Sequence, residues 1–574
     1  MADGLEDIAL LLGFSDQGRF KAQAYERGAE VVAGLAGELS LVIQSGRLHA
    51  LEGIGPSLSK QILELWETGS SSLLERLRSE NPPGAAELAR VPGLTPRRIR
   101  LLSTSLGIAS LEQLRDACRA QRIRGLPGFG LKTEQKLCEA VEAMQQRALA
   151  EPRILLSVAQ QLGHTLEHAL CVEERVVSVQ LAGAARRGEE TLAALDLLIT
   201  LVDDDEATLD LERILARVAA LPQVLRVDRA ARCAQLACGI PLRLHLTSAA
   251  LTGTALLRAT GPLPHVELLS ARAQAQTHAS TQRAGTEPGA LPLSAFASEH
   301  ELYRSLGLHW VPPELRSAPD ALTQAAVDDF SDLISAGDIR GMVHCHTTHS
   351  DGKHSVEEMA RAAAALGMQY ITITDHSPSA HYAHGVTRER LELQWEEIRQ
   401  AEQAVGIRIL RGTESDILAD GALDYPDDVL ARFDVIIASI HSRFRMTRAQ
   451  MTERLVRAMQ LPVFKIWGHA LGRLLLSREP IDCDVEAVLD ALAGGRGAIE
   501  INGDPHRLDL PPEWIPAARA RGIPFVLSVD AHSTAGMGVL PLAATLARRG
   551  GLRRAEVLNA LPVDDFLARM RAPI

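Results

Sequence analysis

Aromatic residues are scarce in this chain. Five Trp, five Tyr and ten Phe make up 3% of its 574 residues. Hydrophobic residues still reach 46%, so the cores must be built mostly from Leu, Ala, Val and Ile. Cysteine is sparse too. Cys118, Cys138, Cys171, Cys233, Cys238, Cys345 and Cys483 are scattered, odd in number and form no CxxC pair, which argues against a disulfide framework and for a reducing compartment. No apolar run is long enough to span a bilayer. The first residues, MADGLEDIALLLGF, carry acids where a secretory leader carries bases. A cytoplasmic protein with no membrane partner is expected. A basic excess is also missing: 60 Lys and Arg stand against 72 Asp and Glu, a net charge of -12. That excludes a wholly basic nucleic-acid coat but leaves room for a local basic patch.

The length requires several domains. Up to about Pro152, apolar residues recur at helical spacing, as in IALLLGF and LSKQILELWETG. Three Gly-containing turns interrupt the helices: LEGIGPSLSKQI at 51–62, VPGLTPRRI at 91–99 and LPGFGLKTEQKL at 126–137. This part divides into 1–85 and 86–152. Residues 153–311 are mixed α/β, with strand-like RVVSVQLAG and LDLLITLV. Within them, 271–297 is rich in Ala, Gln, Thr, Gly and Pro and is expected to be a long loop or a partly disordered insert. Residues 312–340 look like a linker with an acidic helix. From 341 to 574, short Ile- and Val-rich runs alternate with helical patterns, the signature of parallel βα units.

Residues 344–352, HCHTTHSDG, crowd three histidines and an aspartate together, a combination suited to divalent transition metals. Other polar groups fall where apolar runs end: Asp375 and His376, Glu414, His441, His469, Glu500 and Asn502, Asp530 and His532. In a β/α barrel these ends share one rim, where active sites are assembled. His344, His346, Asp351, His376, Glu414, His441, His469, Asp530 and His532 make nine potential ligands. One catalytic metal needs about three protein ligands, so nine suit two or three ions and phosphoester chemistry. His349 and His354 lie outside this pattern and are expected to be loop residues, and His381 and His384 are expected to belong to a mobile lid over the site.

This segment resembles a PHP (polymerase and histidinol phosphatase) domain over about 341–565, on HCHTTHSDG, ITDHS, GTESDI, ASIHSRF, GHALGR, EINGDPHRLDL and SVDAHS. The resemblance implies a distorted barrel of seven βα units binding up to three ions, manganese or zinc. It implies that His344, His346, Glu414 and Asp530 form the catalytic centre and hold one ion. Glu414, His441 and His469 would hold a second, and Asp351, His376 and His532 a third. Arg443 and Arg473 follow ligands closely and are candidates for substrate phosphates.

The three turns resemble helix-hairpin-helix motifs, whose exposed backbone N–H groups bind DNA phosphates without reading bases. Gly53, Gly55, Gly93, Gly128, Gly130 and Lys132 are the candidate DNA contacts. Between Val91 and Lys136, nine Lys and Arg stand against three Asp and Glu, the local excess that backbone binding needs. With SLGLHWVPPELR at 305–316, the order of segments resembles the bacterial X-family DNA polymerases over nearly the whole chain. That implies a nucleotidyltransferase domain in the middle. Its signature, Gly-Ser-x-Arg-Arg-Gly followed by Asp-x-Asp, is here GAARRGEETLAALDLL. Gly183, Arg186, Arg187 and Asp196 survive; Ala184 and Ala194 replace the serine and the first aspartate, and Arg243 falls where a third aspartate is expected. Magnesium is implied only if this domain is active, and one aspartate cannot hold two ions. The expectation is a DNA-binding 3′–5′ exonuclease of DNA repair with an inactive polymerase domain. The alternatives are an active repair polymerase, a DNA-binding scaffold with remnant enzyme domains, and a small-molecule phosphatase of the histidinol-phosphatase type.

Overall fold

Glycine and proline punctuate the early sequence into short helices, and capping residues fix where several of them begin. In the computed structural model, which describes residues 2–571 apart from 16–18, 35–42, 44–47, 49–53, 69, 150, 203–206 and 285–294, the chain forms two compact units. The first is Met1–Pro152 with Ala220–Gln223. Its described residues are helical, as expected. Ser71, Thr95 and Ser110 each accept a hydrogen bond from the backbone N–H three residues on, satisfying a donor that the helix itself cannot. Pro96 opens the helix Pro96–Leu106, and Gly107 ends it in the left-handed conformation. Leu, Ile and Val dominate the shared core, with Phe14, Tyr25 and Phe129 the aromatic contributions.

The second unit, Arg153–Ala219 with Val224–Ile574, contains two large sheets besides a two-stranded pairing of Ile154–Leu155 with Thr191–Leu192. The smaller has five strands: β1 (Val176–Leu181), β2 (Leu195–Leu201), β3 (Val224–Asp228), β4 (Cys233–Leu236) and β5 (Pro241–Ser248). Their order is β1-β2-β5-β4-β3. β2 is an interior strand, buried at every residue. It pairs antiparallel with β1 and parallel with β5.

Two expectations for the neighbouring chain are corrected. The stretch 271–297 is not a loop throughout, because a helix runs Leu263–Ala284. Its Ala and Gln residues favour a helix, and no glycine intervenes before Gly285. Residues 285–294 lie outside the described residues. The stretch 312–340 is not a free linker. Leu315, Ala321, Ala325, Phe330 and Leu333 are buried in a cluster with Leu257, Leu302 and Tyr303, and the helix within it spans only Ala321–Gln324. Several of its acids pair with arginines late in the chain, Glu314 with Arg548, Asp328 and Asp332 with Arg553, and Asp338 with Arg554, while the apolar residues find partners far away in sequence.

Glu299 ties this region together. Its carboxylate accepts from Arg186 at 2.9 and 2.8 Å, from Arg316 at 2.8 and 2.8 Å, and from the Trp310 indole at 3.0 Å.

The larger sheet has seven parallel strands: β6 (Gly341–Met342), β7 (Tyr370–Ile373), β8 (Arg408–Asp416), β9 (Val435–Ser439), β10 (Lys465–Trp467), β11 (Gly497–Asn502) and β12 (Phe525–Ser528). They lie side by side in chain order. The expected seven-unit parallel barrel is therefore present. Val343, Ile437, Ile466, Ala498 and Val526 belong to its hydrophobic core, and β7, β9, β10 and β12 are buried along their whole length, as parallel strands covered on both faces must be. Closure comes beyond the named strands: Cys345 bridges Ala531 in parallel. The His346 N–H donates to the Ala531 carbonyl at 2.9 Å, and the Ala531 N–H to the His344 carbonyl at 3.0 Å.

Burial alone would raise the Glu299 carboxyl, but the hydrogen bonds from Arg186 and Arg316 hold it down to about 2. Its stabilising contribution is therefore complete at neutral pH and lost as pH falls below the ordinary glutamate value of 4.5 toward 2. Glu299→Gln would leave Arg316, whose side chain is fully buried, without a counter-charge. Urea unfolding at pH 7 should show a loss of about 3–5 kcal/mol in the second unit, and the gap to the parent should narrow below pH 4.5.

Candidate metal centre

Side chains on a strand alternate between faces, and this sets the centre. Cys345 takes the bridging position, so the flanking His344 and His346 share the other side. Ala531 does the same between Asp530 and His532. Asp530 sits at φ +52° and His469 at φ +26°, conformations that non-glycine residues rarely adopt and that cluster at functional sites. Glu414 enters from β8, with His376 beyond β7, His441 beyond β9 and His469 beyond β10.

Three ligand groups result, each with atoms within 4.8 Å of one another: His344, His346, Glu414 and Asp530; His376, Glu414 and His441; and His346, Asp351, His376 and His532. His344, His346, Glu414 and His469 are buried. Several of their atoms have no hydrogen-bond partner: His344 Nε2, both nitrogens of His346, His376 Nδ1, His469 Nδ1, Glu414 Oε2 and Asp530 Oδ1. Orphaned buried lone pairs are costly, and a cation facing them removes that cost. The donors are imidazole and carboxylate, which fit manganese or zinc.

Without a cation the charges adjust among themselves. Burial would lower His441, but Glu414 and Asp416 raise it to about 10. Burial, with His532 and His376 nearby, pushes His346 down to about 4, leaving it neutral and ready to donate a lone pair. Burial would raise Glu414, yet His441, His376 and His344 hold it well below the usual carboxylate range.

A further ring of residues aims the ligands. His344 Nδ1 lies 2.5 Å from Glu500 Oε1, and His441 Nδ1 lies 2.6 Å from Asp416 Oδ1. Each bond fixes which nitrogen faces the centre. Glu500 also accepts from the His469 backbone and the Ser528 hydroxyl. Asp375 accepts from Thr347 N and Oγ1 at 2.7 and 2.6 Å, from Ser350 at 2.5 Å and from Gln394 at 2.7 Å, which holds the loop carrying Asp351.

Comparison with known proteins agrees with this geometry. Residues 343–503 match the PHP domain model, and 85–143 match a SAM-like helix-hairpin-helix tandem. A Bacillus subtilis protein, DNA polymerase/3′-5′ exonuclease PolX, is 32% identical over 572 residues, covering 99% of this chain and 98% of its own. This chain belongs to the PolX family. A probable phosphatase of Thermoanaerobacter sp. is 29% identical over 228 residues, 38% of this chain and 88% of that one. A Leishmania infantum polymerase beta structure aligns with 40% of this chain and 97% of its own at 15% identity and a TM-score of 0.24, too weak a likeness to bear on the fold.

In this PolX-family chain, the first implied ligand set occurs together as one group. The second differs: His441 and His469 both approach Glu414 Oε1, at 3.2 and 2.8 Å, but the tight group holds His376 in place of His469. The third gains His346. Outside the groups, His349 pairs with Glu397 at 2.7 Å, and His354 accepts from the Thr534 N–H at 3.3 Å. His381–Ala383 forms a short 3-10 turn, in which Tyr382 is 65% exposed beside the His376 and His441 rings.

Arg443 is exposed at φ +59°. Arg473 is engaged elsewhere: it donates to the Arg507 and Leu508 carbonyls and pairs with Glu190 at 3.0 Å. Arg507, which sequence reasoning missed, brings its Nε to 3.8 Å from Asp530 Oδ2.

In the first unit, Gly93 and Gly128 have φ of +88° and +81°. A side chain there would meet no neighbour, so backbone conformation is what calls for glycine. Arg98 donates to the Gly93 carbonyl at 2.8 Å and the Gly128 carbonyl at 3.1 Å, and lies over the Phe129 ring, tying the two turns together. Gly130 precedes the helix Leu131–Leu149, on which Lys132 is exposed. Gly55 precedes the helix Pro56–Thr68; Gly53 lies outside the described residues.

In the five-stranded domain, Asp196 on β2 is opposite Arg243 on β5. Asp196 Oδ1 lies 3.0 Å from His245 Nε2 and 4.0 Å from Arg243 Nη1. Ala194 is buried beside them, and Gly183 lines the same cavity. Arg186 is spent on Glu299, and Arg187 on Glu189 and the Thr260 carbonyl.

Glu500→Gln should leave circular dichroism unchanged. It should lower manganese affinity by about 10–100-fold in competition with a chelator, as loss of an orienting partner does.

Proposed function

We propose that this chain is a metal-dependent phosphoesterase that removes nucleotides from the 3′ end of DNA in repair, and that its middle domain does not polymerise. The observation that carries the proposal is the rim cluster of candidate ligands, lined by unsatisfied lone pairs, within a chain collinear with a polymerase/exonuclease. His344, His346, Glu414 and Asp530 would hold the central ion. His376 with His441, and Asp351 with His532, would extend the centre to two or three ions of manganese or zinc. Divalent ions held there supply the Lewis acidity and positive charge that phosphoester hydrolysis needs.

The chain's own residues do the rest. Glu500 and Asp416 keep His344 and His441 turned toward the centre. Arg507, beside Asp530, would hold a phosphate oxygen of the scissile group; exposed Arg443 would hold an outer one. The hairpin turns and their basic surroundings would hold the DNA backbone, so affinity should fall steeply with salt.

Support for an inactive polymerase domain is chemical. Two-ion nucleotidyl transfer needs converging carboxylates. Asp196 is engaged by His245, Ala194 offers no oxygen, and Arg243 places positive charge where a magnesium ion would bind. A second reading, a phosphatase acting on small phosphoesters, draws on the relative that matches the barrel alone. The attached helix-hairpin-helix tandem favours DNA.

With manganese and end-labelled primer–template DNA, the full chain should shorten the strand from its 3′ end. His344→Ala should slow this by at least about a thousandfold, equivalent to about 4 kcal/mol of transition-state stabilisation. Intact DNA alongside rapid hydrolysis of small phosphoesters would favour the phosphatase instead. On gapped DNA with magnesium and all four deoxynucleotides, the chain should add no nucleotide; extension would overturn the inactive-domain reading.

A further inference from the structure

The loss of carboxylates in the middle domain changes the chemistry of a cavity that remains. Gly183, Asp196, Arg243 and Arg258 line a cleft of about 500 Å³, within the range of small-ligand sites. Its charge is reversed from that of a cation site. Arg153, Arg187, Arg243 and Arg258 face two carboxylates, Glu189 and Asp196, and both carboxylates are taken. Glu189 pairs with Arg187, and Asp196 is bound by His245 at 3.0 Å.

Two arginines are left over. Arg243 is 59% exposed at the side chain, with Asp196 no nearer than 4.0 Å. Arg258, on the helix Thr252–Thr260, is exposed and has no hydrogen bond or ion pair among the described residues. Arg153 is held in place by Thr191, at 2.9 Å to Oγ1 and 2.6 Å to the carbonyl. Guanidinium groups lining one open cleft suit phosphate oxygens, which they meet with paired N–H donors.

We propose that this cleft binds terminal phosphate groups directly, without a metal ion, as carried by a nucleoside triphosphate or by the 5′ end of DNA. The site rests on the reading that the domain has lost its ability to polymerise. Magnesium is then a competitor: it neutralises the phosphates that the arginines recognise, so binding is tighter in its absence. A metal-dependent nucleotidyltransferase pocket has the opposite dependence.

The test is equilibrium dialysis of the full chain with radiolabelled dGTP, in EDTA and again in excess magnesium. Binding should be present in EDTA and weaker with magnesium. Arg258→Ala and Arg243→Asp should each weaken it by about tenfold or more, the scale of a lost hydrogen bond to a charged group. Unlabelled competitors distinguish the sources. Displacement by inorganic tripolyphosphate assigns the site to a polyphosphate chain, whereas stronger displacement by a 5′-phosphorylated oligonucleotide than by its 5′-hydroxyl counterpart assigns it to a DNA end. Absent binding in EDTA, or binding untouched by both substitutions, overturns the anion site. If binding requires magnesium and is accompanied by nucleotide incorporation, the inactive-polymerase reading falls with it. If there is neither binding nor incorporation, the anion site alone falls.

Discussion

The catalytic half of this chain depends on one backbone pairing, the parallel bridge between Cys345 and Ala531. Two hydrogen bonds join the start of the barrel to its end, and they lie at the rim rather than in the body of the sheet. Because side chains alternate, that pairing commits His344 and His346 to the same pocket as Asp530 and His532. A one-residue slip of either segment would turn its own pair away from the other. Cysteine and alanine suit the bridging positions because both are small enough to be buried behind the ligands.

Around that pairing, the protein accepts electrostatic cost. Glu414 is wholly buried among histidines, and several of its neighbours have lone pairs without partners. Such an arrangement is poor as a core and good as a cation receptor. The cost is contained by Glu500, Asp416 and Asp375, each of which accepts bonds from the elements carrying the ligands. The rigid frame of β8 to β12 below them keeps the frustration local.

Much of this was legible in the sequence because parallel βα units repeat a simple pattern: apolar run, polar group, helix. The ends of those runs pointed to eight of the nine candidate ligands, and the loop HCHTTHSDG supplied Asp351. The distinction between ligands and the carboxylates that aim them was not legible, since Asp375 and Glu500 also end apolar runs, and only the direction of an imidazole separates the two roles. The fate of Arg473 was hidden for another reason. Its partner Glu190 lies 283 residues away, and no local pattern announces such a contact. The packed stretch after Val311 was misjudged because prolines and acids dominate its composition, while Leu315, Phe330 and Leu333 do their burying at irregular spacing. The helix past Ala271 was misjudged because Ala and Gln suit either a helix or a low-complexity loop.

Glu190 also has a consequence for how the chain can be divided. It pairs with Arg473 and with Arg549, both from the barrel, and the nearby Gly188 leaves no room for a side chain against Thr545. The barrel and the five-stranded domain are thus fitted to each other by charge and by shape. Cutting the chain between them would expose a docking socket with two unneutralised guanidinium groups, one of them bonded to the very loop that carries Arg507. The barrel thus carries a surface shaped to its neighbour, and the five-stranded domain forms part of the mould in which the metal centre is set.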